Sequence, residues 1–391
     1  MTLFESAGIF FLVLSFLGIM LPLGVNMLLV FGYSIFAVKK SISFEPTAFS
    51  VSIITVVHNG EKLVSEKIIN SLSLNFPSPQ YEVVIYSDGS TDRTEEAVKP
   101  FLDEHVRFYS SAGHEGKING MNNAVEKCTG DVLVFSDADA LLEKDSVAKL
   151  VRHFADPGIG GVCGQREISA EKHKLKKAQG SYIKFDSMIK LLESRSGSIS
   201  SNDGKIYAVR RSLYRPIPDG VTDDLYACLS VIAQGYRFVF EPEAVAYVRV
   251  PSRSAPHEVV RRRRIVGTSL RGIWMMRELF NPFRHGIFSL SLFINKILRR
   301  LLPFSLIMLF FSTLILSFYG FAMKIFVVLQ AAFYLTACIY LLFMNKLSGR
   351  GAVSKAASMI FYFCLGNYGT LRGVLDFISG RVVTKWKPLK N

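Results

Sequence analysis

The sequence predicts an α/β domain built on a mostly parallel sheet, joined to α-helical transmembrane segments. Three observations carry this. Between residues 49 and 136, short β-rich runs alternate with stretches whose apolar residues recur at helical spacing, the pattern of parallel strands and crossover helices. Outside that region lie apolar runs over 9–36, 301–318 and 325–344, each long enough to cross a bilayer. The chain has 391 residues, 50% of them hydrophobic, and a soluble core of about 200 residues plus a few spans would use it up.

The run 9–36 has no basic residue before it, carries Glu5 instead, and exceeds the roughly 7 to 15 residues of a signal-peptide core, so it is expected to be a retained anchor. Pro22 and Gly24 are places for a kink, and Lys39 and Lys40 put the following chain in the cytosol. Strands are expected over 49–57, 81–86, 106–109 and 132–136, with helices over 63–74, 92–102 and 117–128 between them. A helix over 225–234 leads through Gly235 and Tyr236 to a strand over 237–240. Four arginines, Arg261 to Arg264, open a helical stretch reaching Phe280. Residues 287–302 mix apolar residues with Lys296, Arg299 and Arg300, which fits a helix in the membrane interface or an amphipathic helix packed on the soluble domain. Tyr319 and Gly320 make the turn of a transmembrane hairpin. The last segment, 353–377, contains Asn367, Gly369 and Arg372 and is expected to be interfacial or re-entrant rather than a full crossing. The resulting plan is an anchor over 1–40, a cytosolic domain over 41–251, basic and interfacial helices over 252–300, a hairpin over 301–345, and an interfacial, re-entrant or spanning helix with a basic tail over 346–391.

The formal net charge of +14 does not point to nucleic acid, because the basic residues sit beside apolar segments: Lys39 and Lys40, Arg261 to Arg264, Arg299 and Arg300, and the tail 381–390. The five cysteines are scattered without paired spacing, which indicates neither a disulfide frame nor a zinc site.

Ligands of parallel sheets bind beyond the carboxyl ends of the strands. There the sequence places His58, Asn59 and Glu61, then Asp88, then Gly116 and Lys117, then Asp137 and Asp139. Asp137-Ala138-Asp139 suits a divalent metal on a diphosphate or, equally simply, capping of a helix beginning near Lys144. Leu141 stands where a DxDxT phosphatase needs threonine. Asp88 to Asp92 fits a turn and N-cap or a contact to a nucleoside. Gly116-Lys117 is followed by Ile118 rather than Ser or Thr, and no GxGxxG follows the first strand, which excludes P-loop and Rossmann fingerprints. Thr222-Asp223-Asp224 reads alone as a helix cap with acidic first-turn residues. The arginine run is a solvated or lipid-facing patch, or a diphosphate ligand.

In their order, TVVHNGE, EVVIYSDGSTDRT, GKINGMNNA, VFSDADA, HFADPGIGGVCG, SNDGKIYAVRR, TDDLYACLSVIAQGYRFVFEPEA, RRRRIVG and SGRVVTKWKP resemble the inverting glycosyltransferases of family 2. That group has a GT-A fold and includes membrane synthases of cellulose, hyaluronan and poly-N-acetylglucosamine. The resemblance implies that Thr55 and Glu61 hold the nucleotide base, Asp88 the uracil or ribose, and Lys117 the donor. It implies Asp137 at donor or metal, Asp139 on a magnesium or manganese ion, Asp224 as general base with Asp223 beside it, and Arg264 at the leaving diphosphate. It further implies a UDP-sugar donor, a glycan or lipid-linked acceptor, a glycan-export partner, and a multi-pass inner-membrane protein with its catalytic domain facing the cytosol. Two departures from the family stand out. The QxxRW motif of processive synthases has Arg261 in the Gln position and Ile265 for Trp, and Lys205 stands where family members often have a small residue. A single-addition transferase and a catalytically silent scaffold of a secretion complex are the alternatives.

Overall fold

The computed structural model describes residues 2–25, 28, 31–32, 35, 49–76, 81–168, 176–248, 255–347 and 352–381. Lys39, Lys40, much of the apolar run beyond residue 25, and the basic tail after Arg381 lie outside them. The chain divides into two compact units. One comprises Met1–Leu28, Ser252–Leu270 and Leu292–Val382; the other comprises Leu29–Pro251, Arg271–Ser291 and Val383–Asn391.

The second unit is an eight-stranded sheet with helices. In chain order it runs β1 Val51–Val57, α1 Val64–Leu72, β2 Tyr81–Ser87, α2 Thr94–Val98, β3 Val106–Ser110, α3 Lys117–Lys127, β4 Val132–Phe135, β5 Ala140–Leu142 and α4 Ser146–Val151. It continues with β6 Ile159–Ile168, α5 Lys176–Ser196, β7 Tyr207–Arg210, α6 Asp223–Ala233 and β8 Arg237–Val248. The strand order is β3-β2-β1-β4-β7-β6-β8-β5. Parallel pairing joins β3, β2, β1 and β4, as expected from the alternating pattern. β1 is buried on both faces, with Val51, Ile53, Ile54 and Val57 all in the core, which is why it is mostly apolar instead of alternating.

Beyond β4 the sheet is mixed. β7 runs antiparallel to β4 and β6, β6 runs parallel to β8, and β5 closes the far edge antiparallel to β8. The sequence pattern does not predict β5, β6, β7 or the extension of β8 past residue 240. β6 is hidden by its glycines, which ordinarily mark loops. Gly161 is required by close packing instead, since a Cβ there would lie 2.3 Å from the Phe238 ring. The helix expected over 92–102 is shorter, passing at Lys99–Phe101 into a 3-10 turn that contains Pro100.

In the first unit, Leu3–Met20 begins with a reciprocal Thr2/Glu5 capping box. Among the described residues, three helical runs are long and apolar enough to cross a membrane: Leu3–Met20, Ile287–Leu316 and Phe321–Phe343. They expose large apolar side chains such as Phe10, Phe311 and Val328, as a lipid-facing surface does. The interfacial helix and first hairpin span, expected as separate elements, form one 30-residue helical run passing through a π-helical turn at Phe293–Leu298. No glycine interrupts it, and Pro303 is accommodated within the helix.

Ala352–Ile378 is a single helix that Asn367, Gly369 and Arg372 do not break. The helix packs on the arginine-rich one: Arg263 forks onto Asp376, with Nη2 2.7 Å from Oδ1, and Val266, Leu270 and Val374 bury together. Arg261 and Arg262 pair with Glu258 at one-turn spacing. Arg261, Arg262 and Arg263 thus make ion pairs within this unit.

Candidate active site

The carboxyl ends of β1 to β4 meet as predicted, and the loops there split into two clusters of different character. The first is built on Asp88, just past β2. Its Oδ1 accepts from the Glu115 amide at 2.7 Å and its Oδ2 from the Gly116 amide at 2.9 Å, with His114 Nδ1 also 2.9 Å from Oδ2. His58 Nδ1 lies 2.6 Å from the Asp88 carbonyl, and the two imidazoles stack at 3.9 Å. Gly89 lets the loops touch: its φ is +56°, and a Cβ would sit 2.2 Å from the Gly113 carbonyl carbon. Asn59 and Glu61 knit the β1 loop to the β2 loop. The Asn59 side chain accepts from the Thr91 amide, the Glu61 amide donates to Asp92, and Glu61 Oε2 accepts from the Arg93 amide.

The second cluster is ionic. Lys117, the first residue of α3, places its ammonium 2.7 Å from both Asp137 and Asp223. Lys205, in the turn before β7, places its own 2.9 Å from Asp137 and 2.6 Å from Asp139. Burial opposes the charge on Asp137, but the two ammoniums outweigh it and hold the carboxyl well below the usual carboxylate range. Burial likewise opposes the charges on Lys117 and Lys205, yet the aspartates keep both ammoniums above the ordinary lysine value. Beneath the loop, the buried Lys67 donates to Ser136 Oγ and the Ala140 carbonyl, both at 2.7 Å. Burial lowers its pKa to about 7 against the pull of Asp137 and Asp139.

Asp224 adjoins this cluster at the start of α6. Its Oδ2 accepts from the Gly204 amide at 2.9 Å and its Oδ1 from the Leu225 amide at 2.6 Å. Burial, then the charges of Asp223 and Asp203, push it up to about 7. The residue as a whole is only half-buried, so a carboxylate near neutrality remains open to an incoming group.

The simpler readings fare differently here. α4 starts at Ser146, with Asp145 at its N-cap, so Asp137 and Asp139 cap no helix there. The capping reading of Thr222-Asp223-Asp224 holds in position: Thr222 occupies the N-cap of α6 and both aspartates lie in its first turn, although Thr222 makes no side-chain capping bond. Lys117, Asp137, Asp139, Asp223 and Asp224 are gathered as predicted. Two of the predicted nucleotide contacts are enclosed. Thr55 is fully buried within β1. The Asp88 side chain is 2% exposed, and its two oxygens accept from the Glu115 and Gly116 amides. Arg264 lies on the helix Ala255–Met275, within the part assigned to the first unit. Lys67 was overlooked, although a lysine in register with Val64, Ile68 and Ser71 on the buried face of α1 was legible. His114 and Asp203 carried no sequence signal.

Asp137 and Asp139 suit a hard divalent cation, which takes carboxylate oxygens and leaves other positions to phosphate. Among the described residues no group of three or more His, Cys, Asp or Glu is placed to hold a metal, so the protein's share would be these two carboxylates. Asp139 is the more open, its side chain 43% exposed against 24% for Asp137. The donor set fits, provided Lys205 yields its place.

Residues 52–217 match glycosyl transferase family 2. Over 208 residues, 51% of this chain, the sequence is 25% identical to a poly-beta-1,6-N-acetyl-D-glucosamine synthase of Staphylococcus epidermidis and 24% identical to that of Staphylococcus aureus strain COL. The match spans about half the length of each relative. Among solved structures, a mannosyltransferase from Pyrobaculum calidifontis in complex with GDP-Man and Mn2+ superposes with a TM-score of 0.71 at 19% identity, covering 97% of this chain and all of the other. The fold is GT-A, and the chain carries a family 2 glycosyltransferase domain related to polysaccharide synthases.

Proposed function

We propose that this protein transfers a sugar from a nucleotide-sugar, a UDP-sugar in the first instance, to an acceptor hydroxyl with inversion. The observation that carries this is Asp224: a half-buried carboxylate raised to about 7, oriented by two backbone amides, beside an ionic cluster suited to a diphosphate. Asp224 takes the proton as the acceptor hydroxyl attacks the anomeric carbon opposite the leaving group. The Gly204 and Leu225 amides fix the direction of the carboxylate. Asp223 shares the Lys117 ammonium with Asp137 and so couples the base to the donor side.

Lys117 balances charge appearing on the leaving diphosphate, and Arg264 is proposed to assist it. Asp139 and Asp137 would hold magnesium or manganese, which when bound neutralises diphosphate charge. Glu61 and the loop it braces line the nucleotide side.

The apolar helices, and relatives that are polysaccharide synthases, support a multi-pass inner-membrane enzyme with residues 41–251 in the cytosol. Its acceptor is a growing cell-surface glycan or a lipid-linked sugar, handed to an export partner. Nucleic acid is not a ligand in this reading. The test is nucleoside-diphosphate release by full-length protein in detergent, over a panel of UDP-sugars and GDP-mannose with Mg2+ or Mn2+, with product size read alongside. Release with one donor supports the transferase, and a ladder of products marks it as processive. No release from any donor, with glycan and lipid-linked acceptors supplied, contradicts it.

A further inference from the structure

The Lys205 ammonium lies between the two carboxylates assigned to the divalent cation, 2.6 Å from Asp139 Oδ1 and 2.9 Å from Asp137 Oδ2. We propose that Lys205 is a tethered counter-ion that competes with the divalent cation for Asp139 and Asp137, so that metal and donor bind by displacing it. The inference rests on the reading of those aspartates given above.

The geometry supports a side chain that can leave without unfolding the site. The backbone of Lys205 is fixed independently of its ammonium: its carbonyl accepts from Ser136 Oγ at 3.0 Å and its amide donates to Asp203 Oδ1 at 3.2 Å. Next to it, Gly204 donates to Asp224, so the turn holding the base stays in place when the lysine swings. A lysine is a point charge on a four-carbon stem, and neither of its two pairs here is a planar fork of the kind arginine locks. Asp137 does not become unpaired on its departure, because Lys117 remains at 2.7 Å. Asp139 is different. Lys205 is the ion-pair partner it shows, and it is the more exposed carboxylate, so it is the natural point of exchange. A divalent cation placed on the Asp139 and Asp137 oxygens that Lys205 now occupies would meet its ammonium at contact distance, and like-charge repulsion favours displacement of the lysine.

The measurement is Mn2+ binding to full-length protein in detergent, with and without UDP, read from the electron paramagnetic resonance signal of free Mn2+. Wild type is compared with Lys205→Met, Lys205→Arg and Asp139→Asn, and the thermal midpoint of each is recorded with and without Mn2+. Lys205→Met is expected to bind Mn2+ at least about tenfold more tightly than wild type, the scale of one charge-assisted hydrogen bond lost from the metal-free state. Lys205→Arg retains the competing charge and gains no affinity. Without Mn2+ the Met variant melts below wild type, and Mn2+ raises its midpoint by more than it raises that of wild type. Equal or weaker Mn2+ binding by Lys205→Met, with binding still lost in Asp139→Asn, overturns the competition while leaving the metal site standing. No Mn2+ binding by any form, even with UDP, removes the metal reading itself and the competition with it.

Discussion

Asp88 and Asp137 stand at equivalent places, each just past the carboxyl end of a parallel strand pairing with β1. Asp88 spends its oxygens on two backbone amides and is closed to solvent. Asp137 spends its oxygens on two ammoniums and stays partly open. Backbone amides cannot leave without refolding a loop, whereas an ammonium on a flexible stem can. Aspartates at equivalent strand ends thus differ in how readily their partners can be exchanged, and the residue name does not distinguish the two.

This contrast is open to direct attack, and the largest effect is expected at the base. Asp224→Asn should lower the transfer rate by about 10²–10⁴-fold, the usual worth of a general base, with little change in thermal midpoint. Next, Lys117→Met should cost about 10²-fold in rate, the scale of losing one preorganised positive contact to developing charge. Because Lys117 also lowers the Asp224 pKa, the same variant should move the pH midpoint of the rate upward.

Asp88→Ala should act mainly on stability. It strands the buried Gly116 amide, at a cost of about 1–3 kcal/mol, and removes the part-buried bond from the Glu115 amide, measurable as a lower denaturant midpoint. If Asp88→Ala instead keeps its stability and loses donor binding, the division between the clusters is wrong.

The smallest effect is on pH. With Asp224 as the proposed base, the rate should rise with pH through about 7 as its carboxyl ionises. Asp223→Asn removes a negative charge that favours the protonated form, so it should shift that midpoint downward in an initial-rate profile.

The parallel half of the sheet was legible because its strands are short runs rich in Val and Ile, bounded by turns. The mixed half was not, because β6 carries glycines, Gly161 among them demanded by the Phe238 ring, and β7 shows only four residues. Asp137, Asp139, Asp223 and Asp224 were found through motif order, although each has an ordinary capping role elsewhere. Lys205 was noticed only as an odd residue; its place on Asp139 depends on β7 lying beside β4, a pairing the pattern does not reveal. The burial of Thr55 and the enclosure of Asp88 likewise follow from neighbours distant in sequence.

The central claim, that sugar transfer turns on Asp224, is tested most directly by following donor binding and transfer in the same Asp224→Asn protein, once a donor is identified. The account predicts donor affinity within about threefold of wild type, with transfer reduced at least about a hundredfold. Transfer at the wild-type rate by a folded Asp224→Asn variant would contradict it.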